Sequence, residues 1–125
     1  MNATSVGTIL VVEDSPSELE LMSHYLQESG YKVLKATGAK EAIEKIKVEE
    51  PTVIITDLVM PDMSGFELCR YLKKNPDTQE VPIVVCSSKN KDIDRLWAMR
   101  QGAKAYVTKP YTRDQLLRAI KSVTN

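Results

Sequence analysis

Apolar residues along this chain follow two rhythms. Five short runs, at residues 9–12, 32–36, 53–56, 83–86 and 105–108, are bounded by polar or turn-forming residues and read as β-strands. Val53-Ile54-Ile55-Thr56 is uncharged and β-branched throughout, which suits the middle of a sheet covered on both faces. Between the runs, apolar residues recur at helical spacing. Leu19, Met22 and Leu26 share one face of a first helix, and Ala39, Ala42, Ile43 and Ile46 one face of a second. Phe66, Leu68, Cys69 and Leu72 belong to a third that starts near Gly65. Ile93, Leu96 and Trp97 give the apolar face of a fourth, and Leu116, Leu117 and Ile120 that of a last helix over residues 113–123. Ser15-Pro16-Ser17-Glu18 reads as a helix start, with Ser15 as N-cap, Pro16 at the first helical position and Glu18 three residues on from the cap. Gly30 stops the first helix, Gly102 the fourth and Asn75-Pro76-Asp77 the third, while the second closes before Pro51.

Five strands alternating with helices imply one parallel sheet, with right-handed crossovers that place helices on both faces. The fold class is therefore α/β, a doubly wound five-stranded parallel sheet with five helices. In such sheets ligands bind beyond the carboxyl ends of the strands, where the strand order reverses. The length of 125 residues suits a single domain, expected over residues 8–125 behind a short loose arm at residues 1–7. No linker, repeat or low-complexity tract interrupts it.

Four of the five strands stop at polar residues, and in a parallel sheet all four ends point the same way. These are Glu13-Asp14, Asp57, Ser87 and Lys109. Each has a plain alternative: Glu13 and Asp14 could cap the first helix, Asp57 the loop marked by Met60-Pro61 and Ser64-Gly65, and Ser87 the fourth helix. Lys109 could be a solvated loop charge. Capping gives no reason for all of them to converge on one rim. Three carboxylates gathered within several ångströms repel by about 4 kcal/mol per pair in a protein site, so they need a cation. Oxygen ligands alone suit Mg²⁺ or Mn²⁺ rather than zinc, and His24, the only histidine, stands apart on the first helix. A carboxylate beside such an ion can attack a phosphoryl group and form an acyl phosphate. Lys109, Ser87 and backbone N–H groups are then available to neutralise the transferring oxygens.

Charge and cysteine content narrow the partners. Seventeen basic residues balance seventeen acidic ones, so nothing in the charge calls for nucleic acid or a membrane. Cys69 and Cys86 sit in apolar segments without CxxC spacing, which favours reduced, buried thiols and fits the cytoplasm. No apolar run approaches the ~20 residues of a membrane span, and the first residues lack the features of a signal peptide.

The segments VVEDS, TDLVMPDMSG, PIVVCSS and GAKAYVTKPY together resemble the receiver domains of bacterial two-component response regulators, of the free-standing chemotaxis type with the flavodoxin-like fold. The resemblance covers nearly the whole chain. It implies that Asp57 accepts a phosphoryl group from a sensor histidine kinase, that Asp14, Asp57 and the Val59 carbonyl hold Mg²⁺, and that Glu13 assists through water. It implies also that Ser87 and Lys109 are the site's hydroxyl and lysine, and that Lys109-Pro110 is a cis peptide. Ser87 and Tyr106 would form the switch, reporting to a downstream protein through the fourth helix, fifth strand and fifth helix. Such a chain is a signalling phosphoacceptor that catalyses only its own phosphorylation and dephosphorylation, and with no output domain in view it is not expected to act as a transcription factor. Ser87 stands where Thr is commoner, Ser88 where Ala is usual, and Lys104-Ala105 replaces a frequent acidic pair. The segment from Trp97 to Ala103 is similar to receivers of pilus-motility chemosensory systems; Trp97 itself suits a core position or a partner contact equally.

Other readings fit less well. A haloacid-dehalogenase-like phosphatase would show DxDxT, and Val59 occupies the place of its second Asp. A flavin or nucleotide binder would want a glycine-rich loop after the first strand, where Glu13-Asp14 instead repels phosphate. A receiver that signals by binding alone would have lost key residues, and none is lost here. A role as phosphorelay intermediate or phosphate sink remains open alongside one in chemotaxis or twitching motility.

Overall fold

In a computed structural model, residues 7–124 are described, and they form ten elements that alternate strand and helix. β1 (Thr8–Val12), β2 (Lys32–Ala36), β3 (Val53–Thr56), β4 (Ile83–Ser87) and β5 (Ala105–Thr108) make one parallel sheet in the order β2-β1-β3-β4-β5. The connecting helices are α1 (Pro16–Glu28), α2 (Ala39–Val48), α3 (Gly65–Lys74), α4 (Asp92–Arg100) and α5 (Arg113–Thr124). The arm expected at residues 1–7 lies outside the described residues except for Gly7, whose carbonyl accepts the Lys32 N–H at 3.0 Å.

Strand alternation divides the core. Ile9, Val11, Val53, Ile55, Val84 and Cys86 face α1 and α5, meeting Leu19, Met22, Leu26, Leu116 and Ile120. Leu10, Val12, Ile54, Ile83 and Val85 face the other way, toward α2, α3 and α4. β3 and β4 are buried along their whole length, as a doubly covered sheet requires, whereas β2 and β5 at the edges are only partly buried. Each fully buried Leu or Ile contributes roughly 2 kcal/mol of transfer free energy, so the two layers carry most of the folding drive. Cys69 and Cys86 are free and buried, and burial pushes both thiols up to about 12, leaving them inert near neutrality.

α4 departs from the expected packing. Ile93, Leu96 and Trp97 are 61%, 50% and 45% exposed, and Ala98 is the helix's one buried residue. At 100° per residue Ala98 lies roughly opposite the stripe those three form. The small side chain therefore sits toward the sheet and the apolar stripe turns outward, which settles Trp97 as a surface residue.

Two loop contacts bear on the site. Gly65 opens α3 so close to the end of β3 that a Cβ there would stand 2.1 Å from the Asp57 carbonyl oxygen, so only glycine lets the helix begin at that point. Asp62, on the β3–α3 loop, accepts the Ala39 and Lys40 N–H groups at 3.1 and 2.8 Å and so caps α2 from outside, where Gly38 has no side chain to do it. The Lys40 N–H holds the Asp62 carboxyl below its ordinary range. Because folding depresses this pKa, the cap's contribution is present above the unfolded value and is lost as the pH falls through the folded one. Asp62→Ala should therefore destabilise the fold by about 1 kcal/mol near neutrality, with the difference starting to shrink only as the pH falls below roughly 4, as read from urea unfolding at several pH values.

Candidate functional site

The sheet register sets the site. Val12 pairs with Thr56, so the residues that follow them, Glu13 and Asp57, leave adjacent strands side by side at the point where the strand order reverses. Their backbones stay pinned to the sheet. Glu13 N–H donates to Ala36 O at 2.9 Å, Asp57 N–H to Val12 O at 3.2 Å, and Lys109 N–H to Ser87 O at 2.9 Å. The side chains are thus delivered by the rim of the sheet rather than by a free loop.

At the centre is the Lys109 ammonium. It donates to Glu13 Oε1 and Asp57 Oδ2, both at 2.8 Å, and forms an ion pair with Glu18 Oε1 at 2.7 Å. Burial works to lower its pKa, but the hydrogen bonds to Asp57, Glu13 and Glu18 outweigh burial and hold the group well above its ordinary value. Glu13 is the opposite case. Burial pushes its carboxyl up despite the opposing hydrogen bonds from Lys109 and the Ser15 N–H, so desolvation wins over pairing. The Asp57 Oδ1 atom accepts the Leu58 N–H at 2.6 Å and touches the Val59 N–H at 3.4 Å, which turns the acid toward its own loop.

Glu13, Asp14 and Asp57 each offer one oxygen, and these three atoms lie within 4.8 Å of one another. Ligands around an octahedral Mg²⁺ at about 2.1 Å sit within ~4.2 Å of one another, so a small closing movement would suffice. The donor set is oxygen only, and Lys109 alone cannot balance it, so these residues fit a hard divalent ion. They line a crevice of about 570 Å³ together with Glu18, Val59, Ser88 and Lys109.

The other expected site residues stand one strand away. Ser87, at the end of β4, is buried, and its hydroxyl accepts the Lys89 N–H at 3.2 Å, while Ser88 rather than Ser87 borders the open crevice. Tyr106 on β5 donates its OH to the Lys89 carbonyl at 2.6 Å, and the Arg95 guanidinium lies 5.0 Å from its ring centre. One residue, Lys89, thus links the hydroxyl to the aromatic ring. The Lys109–Pro110 peptide bond is cis. His24 is on α1, 3.4 Å from Glu28 and apart from the acids.

The sequence pattern marks Glu18 only as a capping residue, and the structure corrects this. Ser15 is the N-cap of α1, yet its side chain makes no cap bond and its N–H donates to Glu13 Oε2 at 3.1 Å. Glu18 turns to Lys109 instead. No local pattern could have shown this, since it depends on a lysine 91 positions further on.

Residues 9–121 match the response regulator receiver domain family. The chain is 36% identical to the protein PilH of Pseudomonas aeruginosa over 94% of its own length and 98% of the relative's. It is 31% identical over 92% of its length to the alkaline phosphatase synthesis transcriptional regulatory protein PhoP of Bacillus subtilis, of which it spans 47%. Among solved structures, the signal receiver domain of a signal transduction histidine kinase from Syntrophus aciditrophicus superposes with a TM-score of 0.87 at 34% identity, covering 95% of this chain and 90% of that one. The chemotaxis response regulator CheY4 of Vibrio cholerae does so with a TM-score of 0.87 at 30% identity, covering 93% and 97%. Receiver domains take phosphoryl groups from histidine kinases and bind Mg²⁺ through an acidic pocket, and this chain has an acidic cluster of Glu13, Asp14 and Asp57. By its sequence, its strand order and the acids at its sheet rim, this chain belongs to the response regulator receiver family.

Proposed function

We propose that the protein accepts a phosphoryl group from a sensor histidine kinase onto Asp57, in a reaction that needs Mg²⁺ or Mn²⁺, and signals by phosphorylation-dependent contact with a downstream protein. The observation that carries this reading is the Lys109–Asp57 ion pair of 2.8 Å at the mouth of an acid-lined crevice. It supports the reading because it brings a carboxylate and an ammonium together, the pair that such a transfer would use. Residues 8–125 act as one receiver unit, and the two buried thiols support a cytoplasmic location.

A carboxylate oxygen of Asp57 forms the new bond to phosphorus while the phosphorus–nitrogen bond of the donor phosphohistidine breaks. The electron pair leaves on the imidazole nitrogen, which takes a proton from solvent, and Asp57 becomes a mixed anhydride. Glu13, Asp14, Asp57 and the Val59 carbonyl would hold the divalent ion, Glu13 through a water, and the bound ion supplies positive charge to the transferring oxygens. Lys109 supplies a second positive charge, and the Ser87 hydroxyl with backbone N–H groups supplies hydrogen bonds. The protein catalyses its own phosphorylation and dephosphorylation and is otherwise a signal carrier.

The new phosphoryl group brings about −1.5 to −2 charge to the rim. Ser87 is drawn to it and loosens its bond to the Lys89 N–H, and the Lys89 carbonyl then releases Tyr106 to turn inward. Shifting such an equilibrium from 1:99 to 99:1 takes ~5.5 kcal/mol, so a partner bound to the switched form completes the change. The surface that reports it comprises the outward stripe of α4, Tyr106 and α5; Ile93, Leu96 and Trp97 already present apolar area there. The resemblance of residues 97–103 to pilus-motility receivers, with the identity to PilH, supports a motility chemosensory pathway.

Asp57→Asn should fold normally and take no label from acetyl phosphate or a phosphorylated histidine kinase; label retained in that variant refutes the acceptor assignment. Lys109→Ala should still be labelled, more slowly, but lose phosphorylation-dependent partner binding, measured by titration of the phosphorylated protein. A third outcome concerns stability. Because folding raises the Glu13 pKa, its ionised form weakens the fold at neutral pH, and that cost vanishes as the group protonates at low pH. In chelator, Glu13→Gln should melt higher than wild type near pH 7, by roughly 4 °C for each 1 kcal/mol recovered, with the gap closing below about pH 4. Its Mg²⁺ affinity by calorimetry should meanwhile fall roughly tenfold.

A further inference from the structure

The acid at the third helical position of α1 has been diverted from its helix. Glu13 Oε2 already takes the Ser15 N–H that a capping glutamate would take, and Glu18 reaches across the crevice to Lys109 at 2.7 Å. That ion pair engages an ammonium that already donates to Glu13 and Asp57. Yet a phosphoryl group on Asp57 also needs Lys109.

The three acids differ in how easily they can let go. The Glu13 and Asp57 side chains are 6% and 12% exposed, so releasing either would strand a carboxylate away from water. The Glu18 side chain is 47% exposed and can swing into solvent at little cost. Glu18 is also the acid that the site's chemistry leaves over. A divalent ion among Glu13, Asp14 and Asp57, with the Lys109 ammonium beside it, cancels those three charges, so Glu18 is the acid free to give up its place at Lys109.

We infer that Glu18 is a positioning residue that holds the Lys109 ammonium in an ion pair until the phosphoryl group arrives, and that it thereby slows phosphoryl acceptance by Asp57. This rests on the reading of Asp57 as the acceptor. In the resting protein Glu18 holds the ammonium over the crevice. On transfer, the oxygen of the new phosphoryl group replaces it and Glu18 moves out into water.

The test is phosphorylation by acetyl phosphate, in which the bond from phosphorus to the acetyl oxygen breaks and acetate leaves with the electron pair. Glu18→Gln should be labelled about fivefold faster than wild type at low salt, with the gain shrinking toward 0.5 M salt as roughly 4 Å screening sets in. In a Lys109→Ala background the same substitution should have no effect, because the pair it breaks is already gone. An equal gain in that background would mean that Glu18 acts as a bare charge and not through Lys109, which overturns the inference. A second readout needs neither metal nor phosphate. In chelator, the Lys109 ammonium protons followed by NMR should exchange with water several-fold faster in Glu18→Gln, and an unchanged exchange rate also overturns it. If wild type is labelled and Glu18→Gln is labelled at the same rate, the inference fails while the acceptor reading stands. If wild type takes no label from any donor, the acceptor reading fails first.

Discussion

Everything at the rim of this sheet depends on one ammonium held among acids. Glu13, Glu18 and Asp57 all contact Lys109 directly, and Asp14 stands beside them. The arrangement is poor for stability and good for chemistry. Buried Glu13 resists ionisation even with Lys109 against it, whereas Lys109 is held charged more firmly than in water. A core filled with apolar side chains would have no use for such a cluster. Under the proposed function, acids already assembled and a cation able to change partners are what a divalent ion and then a phosphoryl group would call for.

The fold makes this possible because each member is fixed through its backbone. Glu13 and Asp57 leave neighbouring strands in register, and Lys109 hydrogen-bonds the end of β4 through its own N–H. Gly65 lets α3 begin directly against the Asp57 carbonyl, and Asp62 ties the loop after β3 to the start of α2. The flexible ends of the side chains therefore move on a rigid frame. The same economy appears one strand away, where Lys89 joins Ser87 to Tyr106 through the two sides of its own backbone. In the proposed switch a shift of the hydroxyl would reach the surface without any long chain of intermediates.

α4 shows what the frame leaves free. Its single buried residue is Ala98, and its apolar stripe faces solvent. A helix anchored by so small a contact is better suited to adjusting its position than α1 or α5, which insert Leu19, Met22, Leu26, Leu116 and Ile120 into the core. The least anchored helix lies next to the residue that would report phosphorylation.

The order of elements, the parallel sheet and the identity of the acids, hydroxyl and lysine at the strand ends are legible in the chain alone. Period-2 and period-3.6 patterns and the residues that end them are local, and strand ends in a parallel sheet share one direction whatever the packing details. Three other features emerge only when the chain packs. Helical spacing marked Ile93, Leu96 and Trp97 as an apolar face, but which side of α4 meets the sheet depends on where the chain returns to it, and Ala98 took that place. Glu18 matched a capping pattern, but Glu13 had already supplied the cap and Lys109 offered a stronger, charged partner across the crevice. The cap of α2 came from Asp62 in another loop, invisible to any reading of neighbours, because hydrogen-bond partners are chosen by distance in space and not along the chain.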